Sequence, residues 1–246
     1  MVTKSRTTQG RINRNGLVLW ESATQVAIAT GFKRPSANRK TGKMIQIFII
    51  VKQVDPVTAI HTGQDEAVCF SCKLRGRINE EGKLVERACY VDLPKSVLSV
   101  WNCFHRGGYR KLEDYSVFDG RNVRFGAYGE PVLLPLDMVR EIAGRASKRT
   151  GYTHRWKEVA IQGYRHFFMA SCDQSDYQEA EALGWRTFSV SEEALEKHVL
   201  CPASEEAGKR TNCAKCGLCS GTSLQARSIW IPAHGQGKKY AYKVAA

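Results

Sequence analysis

Cysteines carry most of the chemistry this sequence offers. Cys213, Cys216 and Cys219 stand two residues apart, and Cys201 lies eleven residues upstream of the run. Each two-residue gap returns the chain to one point, and Ala214, Gly217, Ser220 and Gly221 allow tight turns. Small buried hydrophobes are the bland alternative. Four thiols in so short a stretch match a metal-binding loop better. Structural zinc usually takes two separated pairs. A Cys-x2-Cys-x2-Cys run with a remote fourth thiol is more typical of an iron–sulfur loop. The expectation is a [4Fe–4S] cluster, with zinc as the alternative.

A second thiol group comes earlier. Cys69 and Cys72 flank two residues, and Cys89 follows a polar sixteen-residue insert with a hairpin-type turn at Glu81-Gly82. Cys103 falls within an amphipathic helical pattern over 96–104 (Val97, Leu98, Val100, Trp101, Phe104) and reads as core packing. For zinc, Cys103 or His105 could add a fourth ligand. Three thiolates leave one iron of a [4Fe–4S] cluster open to a substrate or cofactor, whereas four close the site, the same logic that separates catalytic from structural zinc. The catalytic possibility therefore goes to Cys69, Cys72 and Cys89. Cys201, Cys213, Cys216 and Cys219 take a structural or auxiliary role.

The elements that must position these thiols read as α/β. Residues 1–42 form a basic N-terminal arm and loop, with one apolar patch at 17–20 and a short strand over 26–30. A β-branched run over 43–54 predicts a strand buried on both faces, and Asp55-Pro56 starts a short helix or turn. Strands are expected over 122–127, 152–156, 165–172, 185–190 and 227–233. Helices are expected over 136–149, closed by Gly151, and over 176–183, capped by Ser175. A further short helix opens at Ser191. Strands separated by helices of about this length predict parallel βαβ units. Residues 43–195 thus form the α/β unit carrying the first thiol group, and 196–246 a cysteine-rich segment packed on it.

In parallel sheets the functional residues stand at the carboxyl ends of strands. That brings Glu130, His154, Arg155 and Asp173 to one mouth. His154 and Asp173 are the catalytic candidates and Arg155 the substrate-binding one. Each also has a plain reading: an interior histidine, a turn-shaping aspartate, a surface cation. Walker A, G-x-G-x-x-G and G-x-S-x-G patterns are absent.

The composition narrows the setting. An apolar share of 43% supports a real core. No apolar run reaches a membrane span, and the basic N-terminus has no apolar signal core. Nine cysteines without a secretion signal favour metal ligation in a reducing cytoplasm. The net charge is +13, and residues 1–43 hold nine Lys/Arg against the single acid Glu21. Such a surplus favours polyanions, nucleic acid above all, unless it only solubilises the chain.

Two stretches together resemble the radical S-adenosylmethionine (radical SAM) superfamily: the group Cys69, Cys72, Cys89, and Phe125-Gly126-Ala127-Tyr128-Gly129-Glu130-Pro131-Val132-Leu133-Leu134. The run over 125–134 is similar to the family's Gly-Gly-Glu strand end. The resemblance implies a partial (βα) barrel, a [4Fe–4S] cluster on the three thiols, and Gly129 and Glu130 contacting the amino group of S-adenosylmethionine. The cluster motif departs from the family's Cys-x3-Cys-x2-Cys, because the third thiol is displaced. The C-terminal four-cysteine loop would match an auxiliary cluster. The chain as a whole also resembles cysteine-rich proteins borne by bacteriophages and plasmids, in its Cys-x2-Cys…Cys-Tyr start, its Tyr152-Thr153-His154-Arg155-Trp156 middle and its Cys-Pro…Cys-x2-Cys-x2-Cys end. That likeness brings no activity with it, but implies the cytoplasm of a bacterial host. The expected function is an iron–sulfur, radical-SAM-like enzyme acting on a nucleic acid or nucleotide. The alternative is a zinc-stabilised nucleic-acid-binding protein without enzymatic activity.

Overall fold

The computed structural model describes residues 12–233 and 238–241. Of the nine basic residues read over 1–43, Lys4, Arg6 and Arg11 lie outside the described residues, as does much of the polar tail. The fold is mixed α/β, built from parallel-strand sheets that do not close into a barrel.

The chain opens with a hairpin, β1 (Gly16–Glu21) and β2 (Gln25–Thr30), which pairs antiparallel with β3 (Ile45–Val51). Every residue of β3 is buried, as expected of a near-continuous apolar run rich in β-branched residues. Asp55 caps α1 (Pro56–Thr62), its Oδ1 accepting from Val57 N and Thr58 N at 3.0 Å each. A short α2 (Glu66–Cys69) delivers the first thiol. The small hairpin β4 (Arg77–Ile78) and β5 (Leu84–Val85) fills the insert, and α3 (Leu98–His105) and β6 (Arg110–Lys111) return to the first sheet.

The parallel part begins with β7 (Asn122–Tyr128) beside β3. After α4 (Leu136–Arg145), β8 (Lys148–Thr150) pairs with β7, and β9 (Tyr152–Thr153) pairs with β10 (Met169–Asp173). Only Gly151 separates β8 from β9. A Cβ there would collide with the Phe168 ring. Then come α5 (Tyr177–Ala182), β11 (Thr187–Val190), β12 (Val199–Leu200), α6 (Cys213–Cys216) and β13 (Ile229–Ile231). The first sheet runs β6-β1-β2-β3-β7-β8 and the second β12-β13-β11-β10-β9.

Several expectations shift. The strand expected over 26–30 is β2, whereas residues 16–21, expected in the basic arm, form β1, because Leu17 to Trp20 find a partner in β2. The fourth helix stops at Arg145 rather than 149: Ser147 N–H donates to Arg121 O at 2.8 Å, so pairing with β7 takes over and Gly151 lies between strands. Ser175 does not cap α5. Its hydroxyl donates to Asp173 at 2.6 Å, and Asp176 holds the cap position. No helix follows Ser191, whose hydroxyl instead donates to the Glu193 carbonyl at 2.7 Å.

The Asp55 cap yields a first test. Asp55→Ala is expected to lower stability by about 1 kcal/mol in urea unfolding. Hydrogen bonding to Thr58 holds this carboxyl below its usual value. With the folded pKa below the unfolded one, the cap contributes fully above the ordinary carboxylate range. That contribution is lost as pH falls through the folded value. The gap between parent and Asp55→Ala should therefore narrow in acid, and a gap independent of pH would refute the cap.

Candidate metal centre and cavity

Local hydrogen bonding explains how three dispersed thiols meet. Cys69 N–H donates to Asp65 O at 2.8 Å, and Cys72 N–H closes the turn on Cys69 O at 3.1 Å. Phe70, inside that turn, has φ +48° and ψ −134°, backbone territory that favours glycine. Its ring lies under the Arg155 guanidinium, 3.9 Å from the centroid. Arg75 ties the loop to the preceding turn, with Nη2 2.7 Å from Asp65 Oδ1 and 2.8 Å from Gly63 O. The β4–β5 hairpin then folds the insert back, and Cys89 N–H reaches Leu74 O at 2.7 Å. The sixteen-residue gap is thus a hairpin excursion that returns Cys89 to its partners.

The second thiol group is held by the core on several sides. Asn212 caps α6, accepting from Lys215 N at 3.0 Å, and Gly217 ends it at φ +70°. Cys213 N–H donates to Lys40 O at 2.9 Å and Cys201 N–H to Trp230 O at 2.9 Å. From below, the buried Arg186 donates through Nη1 to Leu218 O and Gly221 O, each at 2.9 Å, and through Nη2 to Arg227 O at 2.7 Å.

Both groups open onto one cavity of 420 Å³, lined by Cys69, Cys72, Cys89, Cys201, Cys213, Cys216 and Cys219. Part of its wall comes from alternating positions along parallel strands: Tyr152 with His154 just beyond β9, then Ser171, then Phe188 and Val190, then Ile229 and Ile231. Period-two alternation puts such residues on one face of a sheet. Among the described residues, no three or more His, Cys, Asp or Glu side chains are grouped as a site for a single metal ion. The thiols surround a volume rather than a point.

The electrostatics are those of crowded, buried thiols. Burial pushes Cys69 well up, and the neighbouring Cys72 and Cys89 push it further. Burial also raises Cys89, against the pull of Arg87. In the second group burial raises Cys201, Cys213 and Cys219, and the other thiols of the group add to it. Arg124 and Lys40 oppose the rise at Cys213. Thiolates so placed repel one another, and positive charge in their midst reverses the penalty. Two tyrosines attend them: burial, with the nearby thiols adding to it, raises both Tyr128 beside Cys69 and Tyr152 beside Cys219.

Glu130, two residues beyond β7, and His154, one residue beyond β9, both line the cavity. Glu130 is 3% exposed. Its Oε2 accepts from Thr153 Oγ1 at 2.7 Å, and its Oε1 lies 2.9 Å from His154 N and 2.8 Å from His154 Nδ1. Burial opposes charge on His154, but Cys72 and Glu130 outweigh it and its pKa lies well above the usual imidazole value. Gly129 also lines the cavity, at φ +78°.

The other site candidates lie elsewhere. Asp173 is not on the cavity wall. It pairs with Lys73 at 2.6 Å and accepts from Ser175 N at 2.8 Å, so it shapes the turn after β10 and ties the first thiol loop to it. Arg155 does not line the wall either, and is bound to Glu158 at 2.6 and 2.5 Å above Phe70. Cys103 is buried near Asn13, and His105 packs on Trp101 with Nε2 2.8 Å from Lys52 O, so neither joins the thiols. Sequence reasoning misses Arg124, Tyr128, Tyr152 and Arg186. The alternation 124, 126, 128 and 152, 154 is the available signal for all but the last.

Comparison with protein-family models, curated proteins and solved structures finds no match to this chain.

Proposed function

We propose that the protein is an iron–sulfur enzyme of radical SAM type, acting on a nucleic acid or nucleotide in the shared cavity. One observation carries the reading: a three-thiol and a four-thiol group line the same cavity, with Glu130 and His154 at the strand ends between them. Cys69, Cys72 and Cys89 would hold a [4Fe–4S] cluster with one open iron, and Cys201, Cys213, Cys216 and Cys219 a closed one. When bound, the open cluster supplies an electron and a coordination position to S-adenosylmethionine. The donor set fits: seven soft ligands, with Arg87, Arg124 and Lys40 near enough to offset their charge.

A partial (βα) barrel is part of this proposal. Strands β3, β7, β8, β9, β10 and β11 follow one another in chain order. Each hydrogen-bonded pair is parallel, and Gly151 carries the succession from one sheet to the other. Alternating side chains of these strands facing one cavity support it further. Lys40 and Arg124 on the cavity wall supply positive charge for a phosphate-bearing substrate.

Anaerobic reconstitution with iron and sulfide is the test. About eight irons per chain are expected, with a brown colour and binding of S-adenosylmethionine by equilibrium dialysis. A colourless protein that takes up zinc alone would overturn the proposal and leave a zinc-stabilised nucleic-acid binder.

A further inference from the structure

We propose that His154 is the fourth ligand of the first thiol group: its Nε2 binds the iron that Cys69, Cys72 and Cys89 leave open, and Glu130 fixes the ring for that task. The inference rests on the iron–sulfur reading for the identity of the metal, though not for the choice of residue.

Three observations converge on this side chain. Nε2 is buried and has no hydrogen-bond partner among the described residues. The imidazole lines the same cavity as Cys69, Cys72 and Cys89. The opposite nitrogen, Nδ1, is 2.8 Å from Glu130 Oε1, which also receives the His154 backbone N–H at 2.9 Å. A buried nitrogen left without a partner calls for an explanation. A ligating histidine almost always donates its other N–H to a carboxylate or carbonyl, which sets the tautomer and leaves the free nitrogen as donor to the metal. The Glu130–His154 pair has that form. Thr153 Oγ1, 2.7 Å from Glu130 Oε2, fixes the carboxylate in turn.

The choice of residue follows by position. His105 and Cys103, the fourth ligands the sequence offered, are engaged elsewhere in the fold. His154 follows β9 directly, and Glu130 follows β7 by one residue beyond Gly129. Two hydrogen bonds, from the His154 backbone N–H and at Nδ1, hold the two residues together. Glu130 is a positioning residue: its oxygens face Thr153 and His154. The site is consequently closed at rest, and S-adenosylmethionine gains the iron only by displacing imidazole.

The test reads nitrogen at the metal rather than turnover. The full chain is labelled with ¹⁵N-histidine, loaded anaerobically with iron and sulfide, reduced, and examined by pulsed electron paramagnetic resonance. A directly bound histidine nitrogen should appear in the parent and vanish in His154→Ala, with iron content unchanged because three thiols still hold the cluster. Glu130→Gln should shift the coupling without abolishing iron binding. Adding S-adenosylmethionine to the parent should remove the histidine signal. Loaded parent protein without any histidine nitrogen at the cluster would overturn the proposal, as would a signal that survives in His154→Ala. If the chain takes zinc and no iron, the enzyme reading fails by itself. X-ray absorption of the zinc form then decides the ligand: nitrogen lost in His154→Ala supports it, and sulfur alone in the parent overturns it.

Discussion

Arg186→Met is expected to release the C-terminal thiol loop, with a loss of about 2–4 kcal/mol in stability. Arg186 is 8% exposed and has no carboxylate among its hydrogen-bond partners. It instead donates to three backbone carbonyls, those of Leu218, Gly221 and Arg227, which bracket the segment between Cys219 and β13. Methionine fills much of the same volume but offers no donor, so three carbonyls lose their partner in a part of the fold that water reaches poorly. Burial lowers the Arg186 pKa, and Cys219 nearby works in the opposite direction. If Cys219 is held as a thiolate by the proposed cluster, its attraction to Arg186 is stronger, and the loop contacts are coupled to cluster loading. The expected measurement is twofold: an earlier urea midpoint, and faster alkylation of Cys213, Cys216 and Cys219 at denaturant concentrations where Cys69, Cys72 and Cys89 stay protected. Uniform exposure of all seven thiols would mean that Arg186 supports the whole fold rather than this loop.

How much of this is legible in the sequence depends on how local each signal is. The thiol groups are legible because chelate spacing is a short-range property: Cys69 with Cys72, and Cys213, Cys216 with Cys219. The strand β3 is legible because a fully buried strand leaves a nearly continuous apolar run, interrupted here only by Gln46. The succession from β10 through α5 to β11 is legible from two short strand-like stretches on either side of a helical one that Gly184 ends. The β1–β2 hairpin is not, because its turn, Ser22 to Gln25, has no Gly or Pro and the flanking charges mask its apolar patch. Strand β8 escapes notice because Lys148 and Arg149 continue the polar pattern of α4, and only pairing with Asn122 and Val123 makes them a strand.

The site divides in the same way. Spacing singles out the thiols but not their meeting place. That both groups face one cavity depends on which strands are neighbours and which side chains point inward. Asp173 stands as a candidate on the strand-end rule alone. The rule places it correctly at the end of β10, yet it does not say whether a strand-end side chain turns into the cavity or back to its own turn. The ion pair with Lys73 and the bonds to Ser175 take it the other way. His154 obeys the same rule and faces the cavity, because Glu130 beyond the end of β7 holds its ring there.

That dependence on strand ends makes Gly129 the most sensitive backbone position in the proposed site. Gly129 and Gly82 have nearly the same backbone, φ +78° and +72°, but different surroundings. A Cβ at Gly82 would meet nothing within 4 Å, whereas at Gly129 it would collide with the Ile49 carbonyl oxygen and lie 2.9 Å from the Ile49 side chain. The left-handed conformation alone costs an alanine about 1–2 kcal/mol, so Gly82→Ala should lose that and no more. Gly129→Ala has the same strain plus a clash with the backbone of β3, which cannot yield without parting β3 from β7. A loss of about 3–5 kcal/mol is expected, in the range of severe overpacking and backbone strain. Just before it, β7 already bulges: Gln46 faces Arg124 while Phe48 faces Tyr128, and Gly126 takes φ +66°. The bulge and Gly129 together aim Glu130 at His154, as bulges beside functional sites re-aim a chain. Gly129→Ala should therefore also displace the carboxylate and loosen the imidazole, seen as a shift of the His154 ring resonances at temperatures where the variant is still folded. Equal losses in the two alanine variants would show that the strand end tolerates the extra carbon, and that Glu130 is held by its hydrogen bonds rather than by the backbone beneath it.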